Sequence, residues 1–176
     1  MSTVRSKDGT LIAFDRVGDG RPIILVDGAL CYRASGPMGP LAALLARHFT
    51  VFTYDRRGRG DSGNTAPYAI DREVEDIDAL IKEAGGSACL FGMSSGAALA
   101  LEAANRGLAI RKLAVYEAPF IVDASRPPIP DDFLTRLNGL VASDRRADAV
   151  RLFMKLVGVL EGTIEIACGE TECRDH

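Results

Sequence analysis

One serine in this sequence lies between two glycines, in a setting that is typical of nucleophilic catalysis. Ser94 is the centre of the pentapeptide 92–96, which reads G-M-S-S-G. The mostly apolar run 87–91 before it predicts a short buried strand, and the run 97–104, rich in alanine and leucine, predicts a helix. Glycines at both ends permit a tight turn that presents the hydroxyl at the end of the strand. The pattern therefore predicts that Ser94 is a nucleophile at a strand-to-helix turn.

A serine nucleophile needs a base within hydrogen-bond reach and an acid that orients the base. The sequence has two histidines, His48 and His176. His48 directly precedes a predicted strand, and we expect it near the opposite edge of the sheet from Ser94, in a surface or structural role. His176 is the last residue of the sequence, and terminal residues are held poorly. The residues alone therefore leave the base open.

The segments that would position Ser94 alternate between strands and helices. Mostly apolar runs predict strands at 11–17, 23–26, 51–54 and 113–117, and the run 23–26 is apolar throughout, as expected of a strand that is buried on both faces. Apolar residues at helical spacing predict helices at 40–47 and 70–84. Strands that alternate with helices form parallel sheets with both faces covered. The sequence therefore predicts an α/β fold, with a mostly parallel sheet and helices on both faces.

Four stretches in this order resemble the alpha/beta-hydrolase family over about the first two-thirds of the chain. They are the pentapeptide GMSSG at 92–96 together with PIILVDGA at 22–29, YDRRGRGDS at 54–62 and LAVYEAPF at 113–120. Asp27 stands where the family usually has a histidine. The resemblance implies that Ser94 lies on the family's nucleophile elbow, within an alpha/beta-hydrolase core.

The resemblance implies a serine hydrolase with esterase-like chemistry. Its substrate would be a small molecule with an ester, thioester or related acyl bond, and neither a cofactor nor a metal is expected. The backbone N–H of Ser95 would be one oxyanion donor and that of Ala29 the other, with Leu30 as the alternative to Ala29. Each such donor is worth about 3–4 kcal/mol of transition-state stabilisation.

The family's chain order of serine, acid and histidine leaves three candidates for the acid or the base. By resemblance to the family's later glycine and acid, Glu172 would be the acid and His176 the base. Their separation is much shorter than the family's. Glu117, at the end of the strand after the elbow helix, is a second candidate acid. Its alternative role is a helix-capping or pocket carboxylate.

The resemblance predicts three regions in the chain: a core at 1–120, a partial helical cap at 121–158 and an atypical tail at 159–176. The tail has little periodicity, and we interpret the chain as a hydrolase that is truncated or read in another frame near residue 157. The core would then lack its last strands and expose a sheet edge, which offers a surface for self-association. The alternative function is that of a truncated, catalytically inactive hydrolase homologue or a binding module.

Composition excludes several other classes of protein. The net charge of −3 does not favour a nucleic-acid partner, and the apolar runs are too short to span a membrane. The first seven residues lack the apolar core of a signal peptide, so we expect a cytoplasmic protein whose four cysteines are free thiols. Cys168, Cys173 and His176 fall short of the usual four-ligand zinc site. We expect the arginines at 56, 57 and 59 to form a solvated basic patch, with a carboxylate-binding role as the alternative.

Overall fold

The computed structural model describes residues 1–124, 127–160 and 162. The chain divides into two compact units, Met1–Phe120 and Ile121–His176. Glu172, His176 and the cysteines at 168 and 173 lie outside the described residues. The predicted boundaries of the cap and the tail therefore stay predictions.

The first unit contains six strands and three helices, close to the predicted positions. The strands are β1 (Ser2–Arg5), β2 (Leu11–Val17), β3 (Arg21–Val26), β4 (Phe49–Tyr54), β5 (Ala88–Met93) and β6 (Ile110–Tyr116). The helices are α1 (Met38–Leu45), α2 (Ile70–Glu83) and α3 (Ser95–Asn105). Helix α2 ends at Glu83, and the positive φ angles of Gly85 and Gly86, 97° and 91°, prevent it from continuing.

The six strands form one sheet in the order β1-β2-β4-β3-β5-β6. Strand β3 pairs in parallel with β4 and β5, and β5 pairs in parallel with β6, whereas β1 and β2 are antiparallel. The carboxyl ends of β3, β4, β5 and β6 therefore meet at one end of the sheet. The chain order reverses at β3, and such a reversal is where ligands bind in open α/β sheets.

Helices cover both faces of the sheet, as predicted. On β3, Ile24 and Val26 belong to a buried cluster that also contains residues of α2 and α3. Ile23 and Leu25 belong to a second cluster, which contains residues of α1. Because successive side chains of a strand point to opposite faces, a run of consecutive apolar residues is buried on both faces of the sheet. This arrangement confirms the predicted α/β fold class.

Among the strands that the structure describes, β6 is at one end of the sheet, which agrees with the prediction that it forms an edge. Val115 and Tyr116 near its carboxyl end are 45% and 55% exposed. Self-association through this edge remains a prediction.

The described part of the second unit contains two helices, α4 (Phe133–Ala142) and α5 (Arg146–Leu156), which pack against each other. Both lie within the segment 121–158 that is predicted to be helical, and its assignment as a cap stays a prediction. Across both units, none of the described helices has the length and apolar character that crossing a bilayer requires.

Candidate active site

Ser94 lies at a sharp turn between β5 and α3. Its φ and ψ angles are 52° and −123°, a conformation that costs a residue with a side chain about 1–3 kcal/mol. Hydrogen bonds on both sides hold this turn. The Ser94 N–H donates to the carbonyl of Tyr116 on β6 at 2.9 Å, and the Ser94 carbonyl accepts from the N–H of Ala97 at 2.9 Å. The strained conformation is therefore imposed by the surrounding sheet and helix.

The two glycines of the pentapeptide are required by close backbone packing. A Cβ on Gly96 would lie 2.5 Å from the carbonyl oxygen of Asp27 and would also collide with that of Val26. A Cβ on Gly92 would lie 2.7 Å from the Cα of Ala97. Real Cβ atoms do not approach other atoms this closely. The absence of side chains lets the elbow pack directly against the end of β3.

The loop after β3, residues 27–36, lies beside the elbow and is called the β3 loop here. A Cβ on Gly28 would lie 3.4 Å from the Cβ of Ser94. Ala29, the next residue, is partly buried, whereas Leu30 is 52% exposed and has a φ of 62°. The structure thus brings together the two segments that carry the predicted oxyanion donors.

A buried carboxyl group organises the start of the β3 loop. Asp27 accepts a hydrogen bond from the Gly28 N–H at 2.7 Å. Burial raises the pKa of Asp27, while the Gly28 amide, the Cys31 thiol and two nearby arginines oppose this rise. Burial and the charge of Asp27 also raise the pKa of the Cys31 thiol. Because Asp27 occupies the Gly28 N–H, the next amides along the loop, those of Ala29 and Leu30, remain as candidate oxyanion donors.

The expectation of a solvated basic patch is wrong for Arg56 and Arg57, which are buried. The loop after β4, residues 55–62, is called the β4 loop here. Arg57 makes a double hydrogen bond to Asp76 of α2, at 2.7 and 2.8 Å, and contacts Asp8 at 2.9 Å. The hydrogen bonds to Asp76 and Asp8 raise the pKa of Arg57. The hydrogen bond from Arg57 in turn lowers the pKa of Asp8. The basic side chains are buried because carboxylates from other elements neutralise them.

Arg56 connects α2 to the elbow and to the β3 loop, which are the two segments that form the candidate site. Its guanidinium makes a double hydrogen bond to Glu73 of α2, at 2.6 and 2.7 Å. Its Nη1 also donates to the Ser95 Oγ at 3.1 Å and to the Asp27 carbonyl at 3.3 Å. Burial alone would raise the pKa of Glu73, but hydrogen bonds and charge from Arg56 hold it below its usual value. The buried pair therefore stays ionised beside the elbow.

A second buried carboxylate joins the β3 loop to the β4 loop. Asp55 accepts from the Arg33 N–H at 2.7 Å and from the Asp61 N–H at 2.9 Å. The Arg33 guanidinium contacts the Asp55 carboxylate at 3.1 Å. Arg33 was not predictable from the sequence, because its carboxylate partners lie 18–28 positions away and no local pattern indicates them. Asp55 acts here as a structural anchor of the two loops.

Of the candidate acids and bases, the described residues include Glu117 and His48. Glu117 directly follows Tyr116, whose carbonyl binds the Ser94 N–H, so its backbone lies next to the elbow. His48 is exposed and precedes β4. It is not near the opposite edge of the sheet, because only β3 separates β4 from β5. It is instead at the amino end of these parallel strands, whereas Ser94 is at the carboxyl end.

A cavity of about 630 Å³ lies beside the elbow. Arg56, Tyr68, Glu73 and Ser95 line it, and the Tyr68 hydroxyl donates to Glu73 at 2.8 Å. Ser94 is not among its lining residues, so this cavity is adjacent to the candidate site and separate from it. Within the part of the chain that the structure describes, no group of three histidine, cysteine or acidic residues could hold a metal ion.

Comparison with known proteins places this geometry in a wider context. A profile of the Alpha/beta hydrolase family matches residues 11–166. An alpha/beta hydrolase from Sphaerobacter thermophilus DSM 20745 is 54% identical, with a TM-score of 0.87. The match covers 97% of this chain and 66% of that protein.

Two solved structures are similar at lower identity. The N-formylmaleamic acid deformylase of Pseudomonas putida S16 is 26% identical, with a TM-score of 0.62, and the match covers 79% of this chain and 55% of that one. An esterase from Exiguobacterium antarcticum is 21% identical, with a TM-score of 0.68, and the match covers 88% and 60%. At this identity the esterase shows similarity of fold alone. This chain spans about two-thirds or less of the length of all three proteins.

Proposed function

This chain belongs to the alpha/beta hydrolase family, and from that membership we propose that it is a serine hydrolase. Its substrate would be a small molecule with an ester, thioester or related acyl bond. The observation that supports this most is the backbone of Ser94, with φ 52° and ψ −123° between β5 and α3. A strained serine at this position raises the hydroxyl above the carboxyl end of the sheet. Strain of this kind is common at catalytic residues.

In the proposed reaction, the Ser94 Oγ attacks the acyl carbon while the base takes the hydroxyl proton. The carbonyl oxygen becomes an oxyanion, which the N–H groups of Ser95 and Ala29 stabilise. Ser95 is the first residue of α3, so the partial positive charge of the helix N-terminus also favours the oxyanion. The leaving group then departs with the proton, and water cleaves the acyl-serine ester to release the acid.

The base and the acid of this mechanism are assigned only as candidates. His48 is an unsuitable base because it lies at the amino end of the strands. Glu172 and His176, the pair implied by the family's order, lie outside the described residues. Glu117 remains a candidate acid, with a pocket carboxylate as its alternative role.

A fluorophosphonate probe tests the proposal, because it reacts covalently with activated serines. Intact mass should show one label on the wild-type chain and none on Ser94→Ala. Ser2→Ala, which changes an exposed serine on β1, separated from β5 by three strands in the sheet order, is the matched control and should label like the wild type. Labelling that survives in Ser94→Ala would contradict the proposed nucleophile.

The alternative is a chain that keeps the hydrolase fold but does not turn over substrate. The position of His48 favours it, because the histidine in the described part of the chain is far from the elbow along the strands. A sample that is folded by circular dichroism but takes no label would support this alternative and reject the serine hydrolase.

A further inference from the structure

We propose that Arg59 is a positioning residue, whose guanidinium sets the direction of the Ala29 N–H. This inference rests on the proposed function, in which that N–H is an oxyanion donor. Arg59 comes from the β4 loop and acts on the β3 loop. It has no role in the mechanism described above.

The proposal starts from two hydrogen bonds. The Arg59 Nη1 donates to the Gly28 carbonyl at 2.6 Å and to the Cys31 carbonyl at 3.2 Å. Hydrogen bonds from a charged donor are shorter and about twice as strong as neutral ones. Arg59 therefore holds the β3 loop at two points, and the shorter bond is at the residue before Ala29.

The geometry of the peptide group transmits this contact to Ala29. The Gly28–Ala29 bond is planar and trans, so the Gly28 carbonyl and the Ala29 N–H point in opposite directions. When the guanidinium holds the carbonyl, it also fixes the N–H, which points away from Arg59. Rotation of this peptide plane would turn the donor away from the oxyanion. A glycine at position 28 offers little resistance to such a rotation.

Neighbouring contacts hold the preceding peptide group, not this one. Asp27 accepts from the Gly28 N–H at 2.7 Å, and Arg56 donates to the Asp27 carbonyl at 3.3 Å. Both contacts fix the Asp27–Gly28 peptide. Among the described residues, the hydrogen bond to the Gly28 carbonyl comes from Arg59. The orientation of the Gly28–Ala29 peptide therefore depends on this side chain.

The surroundings of Arg59 bear on stability as well as on positioning. The side chain is partly buried, and burial together with the charge of Arg56 lowers its pKa. A neutral side chain at position 59 would avoid this unfavourable environment. Arg59→Met also removes the two hydrogen bonds to the β3 loop, so the urea midpoint of each variant is measured and labelling rates are compared under conditions where all variants are folded.

The test compares Arg59→Met, Arg59→Lys and the control Arg47→Met in the full chain. Arg47 is exposed at the amino end of β4, so its loss removes the same charge far from the elbow. The fluorophosphonate labelling rate of Ser94 should fall about 10- to 100-fold in Arg59→Met, since one oxyanion donor is worth about 10²–10³ in rate. Arg59→Lys should recover part of the rate, and Arg47→Met should match the wild type.

NMR supplies a readout that does not depend on catalysis. The Gly28 carbonyl and Ala29 amide resonances should move in Arg59→Met and stay in place in Arg47→Met. If the wild type takes the label, both the slower labelling and the moved resonances are needed to support the proposal. A wild-type labelling rate in Arg59→Met, or unmoved resonances, overturns it. If the wild type itself takes no label, the proposed function fails and the resonances alone decide the role of Arg59.

Discussion

The Nη1 atom of Arg56 lies 3.1 Å from the Oγ of Ser95, so the residue after the elbow serine is tied to a buried ion pair. Glu73, the partner in that pair, lies on α2 and is bound through two hydrogen bonds of 2.6 and 2.7 Å. The same guanidinium reaches the carbonyl of Asp27. The elbow and the β3 loop therefore share one support.

Replacing Arg56 with methionine should destabilise the protein strongly. The change leaves the Glu73 carboxylate buried without its partner, and the loss of one member of a buried pair costs about 3–5 kcal/mol. The free energy of unfolding in urea measures this. The double variant Arg56→Met, Glu73→Leu should lose less than the single variant, because no unpaired charge remains.

An exposed ion pair provides the control for this prediction. Arg106 pairs with Glu102 and with Asp71 at the surface, so Arg106→Met should change stability by less than about 1 kcal/mol. An Arg56→Met variant as stable as Arg106→Met would show that the buried pair does not support the fold.

Ser94→Gly should be more stable than Ser94→Ala. Alanine keeps the Cβ that makes a φ of 52° unfavourable, whereas glycine adopts this conformation without that penalty. After the extra chain entropy of glycine is subtracted, we expect a gain of about 1–2 kcal/mol. Thermal unfolding of the two variants measures it, and both should fail to label. Equal stability would mean that the elbow stores no backbone strain.

Gly96→Ala should destabilise the chain by at least about 2 kcal/mol, because overpacking at a rigid site costs about 1–3 kcal/mol or more. The new methyl group would lie 2.5 Å from the Asp27 carbonyl. Gly39, in α1, has no atom within 4 Å of its Cβ position. Gly39→Ala should therefore be neutral or stabilising by up to about 1 kcal/mol. Urea denaturation of both variants distinguishes close packing from a general effect of alanine, and similar midpoints would argue against close packing.

Asp27→Asn should become increasingly stable relative to the wild type as the pH rises. The folded state raises the pKa of Asp27 above its usual value of 3.8 through burial. The contribution of Asp27 to the free energy of unfolding of the wild type is therefore complete below about pH 4. It is lost as pH rises through the raised pKa of the folded state. Asparagine does not ionise, and its side-chain oxygen can still accept from the Gly28 N–H.

The pH dependence of unfolding tests this prediction. The difference in unfolding free energy between Asp27→Asn and the wild type should be smallest near about pH 3 and should rise to a plateau at higher pH. Ionisable groups that do not interact with Asp27 cancel in this difference, and measurement below about pH 7 keeps the Cys31 thiol, whose pKa depends on Asp27, protonated in both proteins. A difference that is constant with pH would mean that Asp27 titrates normally in the folded state.

Much of the fold and part of the candidate site were predictable from local patterns. The strand and helix on either side of Ser94 follow from short-range periodicity, and the glycines at 92 and 96 follow from the tight turn. The arginines of the β4 loop were not predictable in the same way. Arg56 and Arg57 pair with carboxylates 17 and 19 residues away, and a charged loop by itself is typical of a solvated surface.

The sequence by itself determined the order of strands and helices, the α/β class and the turn that holds Ser94, because these depend on residues that are near one another in the chain. Only the tertiary structure decided which charges are buried and paired, and which carbonyls of the β3 loop the arginines hold. Arg59 and Gly28 are 31 residues apart, yet they come within 2.6 Å because parallel strands bring their carboxyl ends together. Such contacts depend on distance in space, which no local pattern encodes.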